Sequence, residues 1–196
     1  HKEFKETEVG KIPKEWQIAR LGEIVEVMDK YRIPVKEQDR KPGPYPYCGA
    51  NGIIDYVDGY THDGEFVLLA EDGGFFGPFE KSAYIMRGKF WANNHVHVLK
   101  PLKGKIVSEF LMYYLNFVDL RPFLTGSTRP KLTQSDMLQI LIPLPPLEEQ
   151  RRIASILKSI DDWIEIEEKR KGVLERLKRG LMDLLLTGRV RVVVDG

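Results

Sequence analysis

"IPLPPLEEQRRIASILKSIDDWI" occupies Ile142–Ile164 and marks a change of material within the chain. Three of its first five residues are proline, and no proline follows in the rest of the sequence. Pro145 and Pro146 suit the entry to a helix, where a missing N–H leaves no bond unmade. Glu148 and Glu149 then favour the positive end of the helix dipole. The spacing predicts one helix from residue 147 to Leu186, closed by Gly188 in "TGR". Gly172 and Gly180 each weaken it by about 1 kcal/mol relative to Ala, and Gly172 is a candidate bend.

A seven-residue register can be written on this helix. Ile153, Ile160, Glu167, Leu174 and Leu181 take one core position; Ile156, Trp163, Arg170, Leu177 and Leu184 take the other. Only Glu167 and Arg170, adjacent at the middle, are polar. Leu157, Ile164 and Leu185 widen the stripe, which must be buried against something. Laid antiparallel on its own copy, the helix puts Ile153 on Leu184, Ile156 on Leu181, Ile160 on Leu177 and Trp163 on Leu174. Glu167 then meets Arg170 twice by symmetry. A parallel pair would set Glu167 on Glu167, so the pattern favours the antiparallel one. The alternative is a helix packed on its own domain. Nearly 40 residues at ~1.5 Å each give ~60 Å, too long for a domain of about 146 residues.

Residues 1–146 read as a compact mixed domain, dense in Gly and Pro. "GIIDYV" (52–57), "EFVLLA" (65–70), "SAYIM" (82–86) and "HVHVL" (95–99) are predicted strands, punctuated by Gly59, Asp63-Gly64, Gly73-Gly74 and Gly88. Ser108 can cap a helix over "EFLMYYLNFV", and Thr133 a short one over "TQSDMLQI", with Asp136 three residues on. Trp16, Trp91 and the Phe110–Phe117 run are expected in the core. The fold class is therefore α+β: a globular domain over 1–146, a long helix over 147–188 forming an antiparallel coiled coil, and a tail over 189–196.

Composition narrows the function. The single cysteine, Cys48, excludes an internal disulfide and any multi-cysteine zinc site, and fits a reducing, cytoplasmic setting. The polar start "HKEFKETEVG" does not read as a signal peptide, and no apolar run approaches the roughly 18 residues a membrane span needs. Up to Pro146 there are 19 Lys+Arg against 19 Asp+Glu; beyond it, 11 against 10, which accounts for the net +1 of the chain. A nucleic-acid partner would need a local basic patch.

Two segments offer one. In Lys30–Tyr47, Lys30, Arg32, Lys36, Arg40 and Lys41 interleave with Tyr31, Tyr45 and Tyr47, and Pro34, Pro42, Pro44 and Pro46 make it read as a loop. Asn51 follows. "GSTRPKLTQ" carries Ser127, Thr128, Arg129, Lys131 and Gln134 beside a helix start. Each segment reads either as a DNA contact or as a solvated surface. Lys81, Arg87 and Lys89 are weaker candidates. "EDGGFFGPF" follows a strand but opens no helix, so it reads as a wide turn and not a phosphate loop. His95 and His97 share a strand face and read as a core or surface pair before a metal site. No methyltransferase or nuclease constellation stands out.

Several stretches together resemble the specificity subunit of type I restriction–modification systems. "EVGKIPKEWQIARLGEI", "YCGANGIIDYVDGY", "EFVLLAEDGG", "KFWANNHVHVL" and "TGSTRPKLTQSDMLQILIPLPPLEEQRRIASIL" follow in that family's order. "LKRGLMDLLLTGRVRV" resembles the end of its spacer helix. The family's usual chain carries two recognition domains and two helices; this one carries one of each, like a half-subunit. The resemblance implies a non-catalytic chain whose domain reads one half of a split site in double-stranded DNA. Its helix would pair with a copy or with a second similar domain. Modification subunits would dock on it and bring S-adenosylmethionine for adenine methylation, and a restriction subunit would join them. No cofactor is expected in this chain. The competing expectation is a coiled-coil adaptor that binds protein without DNA specificity.

Overall fold

The structure, a computed structural model, describes residues 3–193; the end of the expected tail, residues 194–196, lies outside them. In chain order the elements are β1 (Phe4–Thr7), β2 (Gly10–Pro13), β3 (Gln17–Arg20), α1 (Leu21–Ile24), β4 (Val25–Val27), β5 (Pro42–Gly49), β6 (Gly52–Val57), β7 (His62–Ala70), β8 (Ala83–Ala92) and β9 (Val96–Pro101). After these come α2 (Ser108–Phe117), β10 (Leu124–Thr125), β11 (Lys131–Leu132), α3 (Gln134–Met137), β12 (Leu141–Leu144) and α4 (Leu147–Leu186).

Six strands form one sheet in the order β4-β9-β7-β8-β5-β6. All neighbours are antiparallel except β5 and β8. Successive side chains of a strand face opposite sides, so a centrally placed strand with both faces covered reads as a continuous apolar run. That is β7. Its Val67 and Leu69 join the larger core with Phe110, Leu111 and Leu115 of α2; Phe66 and Leu68 join the smaller one with Cys48, Phe90, Val96 and Val98. β12 returns to pair with β3, Ile142 opposite Ala19, which brings the chain back to its start before the long helix.

The four predicted strands are present, and three are longer than their apolar signal or displaced along it. The proline-rich stretch is a correction. Pro42–Gly49 is strand β5, not loop. Its pairing with β8 involves only Tyr47 and Cys48, past the last proline, so no ladder bond to β8 is lost to a missing N–H. Helix α2 begins one residue earlier than a Ser108 cap would have it: Val107 is the cap, and the Ser108 hydroxyl donates to Glu65 instead. Thr133 does cap α3, its hydroxyl accepting the Asp136 N–H at 3.3 Å. Phe117 is exposed and Trp91 half-buried, so neither belongs to the core as expected.

The chain divides into two compact units, 1–154 and 155–196. The boundary falls two turns inside α4 rather than at its start. Gln150 and Ala154 are buried, and Ile153 packs against the larger core of the first unit. Ile153 is thus held within its own domain, unlike the other nine core-register positions. In the second unit the helix is exposed all round: Ile156, Trp163, Leu174 and Leu177 are 58%, 72%, 55% and 56% exposed. Gly188, at φ +72°, donates its N–H to Leu185, and Val190 bonds back to Leu184, which closes the helix. No helix among the described residues is long and apolar enough to cross a membrane.

Candidate nucleic-acid interface

The first basic segment leaves β4 through a 3-10 turn at Asp29–Tyr31 and passes a second at Glu37–Asp39 before entering β5. Its cations divide into two groups. Arg32 turns inward: it bonds the Val96 carbonyl at 2.9 Å and pairs with Asp29 at 3.3 Å and with Glu71. Arg40 bonds the Val35 carbonyl, reaches Asp55 at 3.4 Å and lies over the Tyr47 ring at 4.4 Å. Tyr47 is buried, and its hydroxyl is held by the Val35 N–H at 2.9 Å and carbonyl at 3.2 Å. The Trp91 indole donates to the Ile33 carbonyl at 2.7 Å. These residues build the loop. Tyr47 is therefore corrected from a DNA contact to part of the loop's support, and Arg32 is committed to the interior.

Tyr31, Lys36 and Lys41 remain exposed, and Tyr45 is half-buried. Lys30 lies over Tyr31 at 4.8 Å. Tyr45 packs against Tyr60 at 5.3 Å, and Lys89 lies over the Tyr60 ring at 4.6 Å. Tyr60 belongs to this aromatic and cationic surface, yet nothing in its own neighbourhood, "DGYTHD", marks it. Only pairing across β5, β7 and β8 brings it beside Tyr45 and Lys89. Arg87 is engaged by Glu65 at 2.7 Å and by Glu109.

In the second segment Ser127, Thr128, Arg129, Lys131 and Gln134 are all exposed. Arg129 reaches Asp72 at 3.2 Å, and Lys131 pairs with Glu71. Asn51 donates to the Gly73 carbonyl at 3.2 Å, tying the β5–β6 turn to the 71–74 turn. Thr133 caps α3 itself, so that short helix start already has an internal acceptor.

The two segments meet around Glu71. Burial pushes its carboxyl up, but hydrogen bonds from Lys131 and Arg32 outweigh this and hold it below the usual carboxylate range. His97 faces Asp29 through Nδ1 at 2.6 Å and donates from Nε2 to the Leu132 carbonyl at 2.8 Å. The ligand atoms of Asp29, Glu71 and His97 lie close enough to suit a metal ion. Arg32 and Lys131 already supply the positive charge there, and both imidazole nitrogens face acceptors, so the donor set is that of an ion-pair network. His95 makes a separate contact, with Asp72 at 2.5 Å. Elsewhere, burial lowers His62 below its ordinary value, and it stacks on Phe90. Burial pushes the Cys48 thiol up to about 12, which keeps it unreactive.

The first unit is thus a mixed domain with basic and aromatic side chains on its loops, and the second a helix with an exposed apolar stripe. The chain belongs to the type I restriction modification DNA specificity domain family, whose model matches residues 13–176. It is 48% identical over 147 residues to a putative type I restriction enzyme specificity subunit of Haemophilus influenzae, covering 74% of this chain and 37% of that one. It is 33% identical to the putative MjaX specificity subunit of Methanocaldococcus jannaschii, covering 98% of this chain and 47% of that one. The chain thus spans about half or less of the length of these relatives. Its fold is that of the crystal structure of the type I restriction-modification S subunit from M. genitalium, with TM-score 0.64 and 17% identity over 86% of this chain and 44% of that one. The HsdS subunit from Thermoanaerobacter tengcongensis shares the fold at TM-score 0.58 and 21% identity, over 92% of this chain and 47% of that one.

Proposed function

We propose that this chain is a DNA-recognition arm of a type I restriction–modification enzyme. Its domain reads one half of a bipartite site in double-stranded DNA. Its helix pairs antiparallel with a copy of itself or with a second similar helix, and so sets the distance between the two halves. The chain does no chemistry. Modification subunits docked on it carry S-adenosylmethionine and methylate adenine, and a restriction subunit completes the assembly.

The observation that carries this reading is the second unit. Apolar residues from Ile156 to Leu184 sit 39% to 72% exposed along a helix that complements itself only when antiparallel. Such a stripe calls for a partner, and the family to which the chain belongs supplies the DNA-recognition role. The exposed Tyr31, Lys36, Lys41, Tyr60 and Lys89, with the half-buried Tyr45, give the domain local cations and rings despite its neutral net charge. Titration of fluorescent duplex DNA at several salt concentrations tests it. Binding that weakens linearly with log salt is expected.

One observation favours an adaptor that binds protein instead. Arg32, Arg40 and Arg129 are engaged by carboxylates, which reduces the free positive charge of the domain. The same titration separates the two: an adaptor would retain no duplex even at low salt.

A further inference from the structure

The two segments named as DNA contacts lie about a hundred residues apart in sequence, and they are bridged twice in the fold. The first bridge is Glu71, at the end of β7. One carboxylate oxygen takes Arg32 of the first segment, the other takes Lys131 of the second, and its carbonyl accepts the Leu132 N–H at 2.8 Å. The second bridge is His97, near the start of β9. Its rigid ring spans from the Asp29 carboxylate at 2.6 Å to the Leu132 carbonyl at 2.8 Å. Asp29 is fixed in turn by the Val98 N–H at 2.8 Å. The side chains of His97, Glu71 and Asp29 are only 2%, 6% and 8% exposed.

Apolar packing could fill this space at no loss of stability, since buried ion pairs contribute little net energy. What directional bonds in a low dielectric add is geometry. Each bond here has one end on β9 or on Glu71, just past the end of β7, and the other on a segment that leaves the sheet. Base-edge readout demands that contacts be placed within a fraction of an ångström, whereas attraction to phosphates does not.

The geometry points to Asp29, Glu71 and His97 as positioning residues that hold the two DNA-reading segments in register with each other, so that sequence discrimination depends on them while general affinity for duplex does not. This rests on the DNA reading above. It also has a signature of its own. Arg32 keeps Asp29 and the Val96 carbonyl as partners, but the half-exposed Lys131 pairs with Glu71, so removing that charge frees one cation toward solvent. Glu71→Gln should therefore bind random duplex at least as tightly as the native chain, with a salt dependence steeper by up to about one counterion, while discriminating sequences less well. The salt slope reports the freed charge, and the loss of discrimination at undiminished affinity reports the lost positioning.

The test uses the full chain and a random-sequence duplex pool, with retained DNA sequenced. The native chain should enrich one motif. Glu71→Gln and His97→Leu should retain as much DNA at low salt but enrich that motif about tenfold less, the scale of one misread base pair. His97→Gln, which keeps a donor near the Leu132 carbonyl, should recover part of the enrichment. Amide exchange gives a second readout that needs no DNA. Asp29→Ala removes no direct bond to residues 127–134, yet it should speed exchange at the Leu132 N–H if the bridges are coupled. Folded Glu71→Gln and His97→Leu chains that enrich the native motif undiminished would overturn the proposal, as would unchanged Leu132 exchange in Asp29→Ala. If the native chain itself retains no duplex, the functional reading fails and takes this proposal with it; the two failures are distinguished by which protein loses binding.

Discussion

The side-chain oxygen of Gln150 accepts the Val107 N–H at 2.9 Å, and its amide nitrogen donates to the carbonyls of Pro145 at 2.9 Å and Lys105 at 3.3 Å. Gln150 is buried, and it sits on the first turn of α4. One side chain therefore satisfies the backbone just before α2 and the backbone just before its own helix. This is why the compact first unit extends into α4.

Gln150→Leu should accordingly destabilise the first unit. It keeps the apolar bulk but leaves a buried N–H and at least one carbonyl without partners, at about 1–3 kcal/mol for each group. Urea unfolding followed by tryptophan fluorescence should show a lower midpoint with an unchanged slope. An unaltered midpoint would mean that the clamp contributes nothing to the fold.

Much of this architecture was legible because it is local. The Pro-Pro-Leu-Glu-Glu entry, the seven-residue spacing and Gly188 bound α4 within a few positions of each other, and the apolar runs of β7 and β9 declare buried strands. The misreadings share a different cause. Pro42, Pro44 and Pro46 argue against a strand only where every N–H must bond: Pro42 and Pro46 lie opposite Val57 and Tyr56 of β6 across a shift of register that takes in Pro44, and β5 meets β8 only past the prolines. Tyr47 and Arg32 look like contacts because composition does not say which way a side chain points. The network of Asp29, Glu71 and His97 joins residues dozens of positions apart, and no spacing announces it. Ile153 fits the helix register but sits close enough to the domain to be packed against it.

Acid should weaken the first unit in two stages, both with the same sign. His62 is lowered below its ordinary 6.5 by burial. Below that pH the unfolded chain takes up a proton that the folded chain resists, so stability falls until the folded value is passed. Glu71 is held below its ordinary 4.5, and its contribution, fully present above that value, is lost as pH falls through the folded one. Thermal melts from pH 7.5 to pH 3.5 should thus show two successive declines. Glu71→Gln should be less stable near neutrality and lose part of the lower decline; an identical acid profile would exclude this assignment.

Glu167 and Arg170 face each other along one helix at 3.6 Å, both largely exposed. In an antiparallel pair the same two residues also meet across the seam, twice. Glu167→Arg converts both crossings to repulsion and should weaken the dimer by about 1–2 kcal/mol, roughly 5- to 30-fold in dissociation constant. Adding Arg170→Glu should restore most of it, because the pairing is then complementary in reverse. Sedimentation equilibrium reads the association directly. A double variant no tighter than the single would show that these residues do not meet.

The proposed helix pair also makes a prediction about DNA. Two identical domains at opposite ends of an antiparallel pair are related by a two-fold axis near Glu167 and Arg170. They must read the same bases on opposite strands, so a site read by two copies is an interrupted palindrome. Forty residues at ~1.5 Å span ~60 Å, more than the ~34–36 Å of one DNA turn, so the bases between the halves are unspecified. Duplicating the central heptad Glu165–Lys171 lengthens the pair by ~10 Å. It also keeps the seam complementary, since the original Glu167 then meets the duplicated arginine and the original Arg170 meets the duplicated glutamate. The gap should grow by about three base pairs with the half-sites unchanged, because the recognition domains are untouched. Methylome sequencing of cells that carry this variant with its modification subunit would report the new site. Methylation at the original spacing, or a native site without a dyad, would exclude a helical ruler built from two copies of this chain.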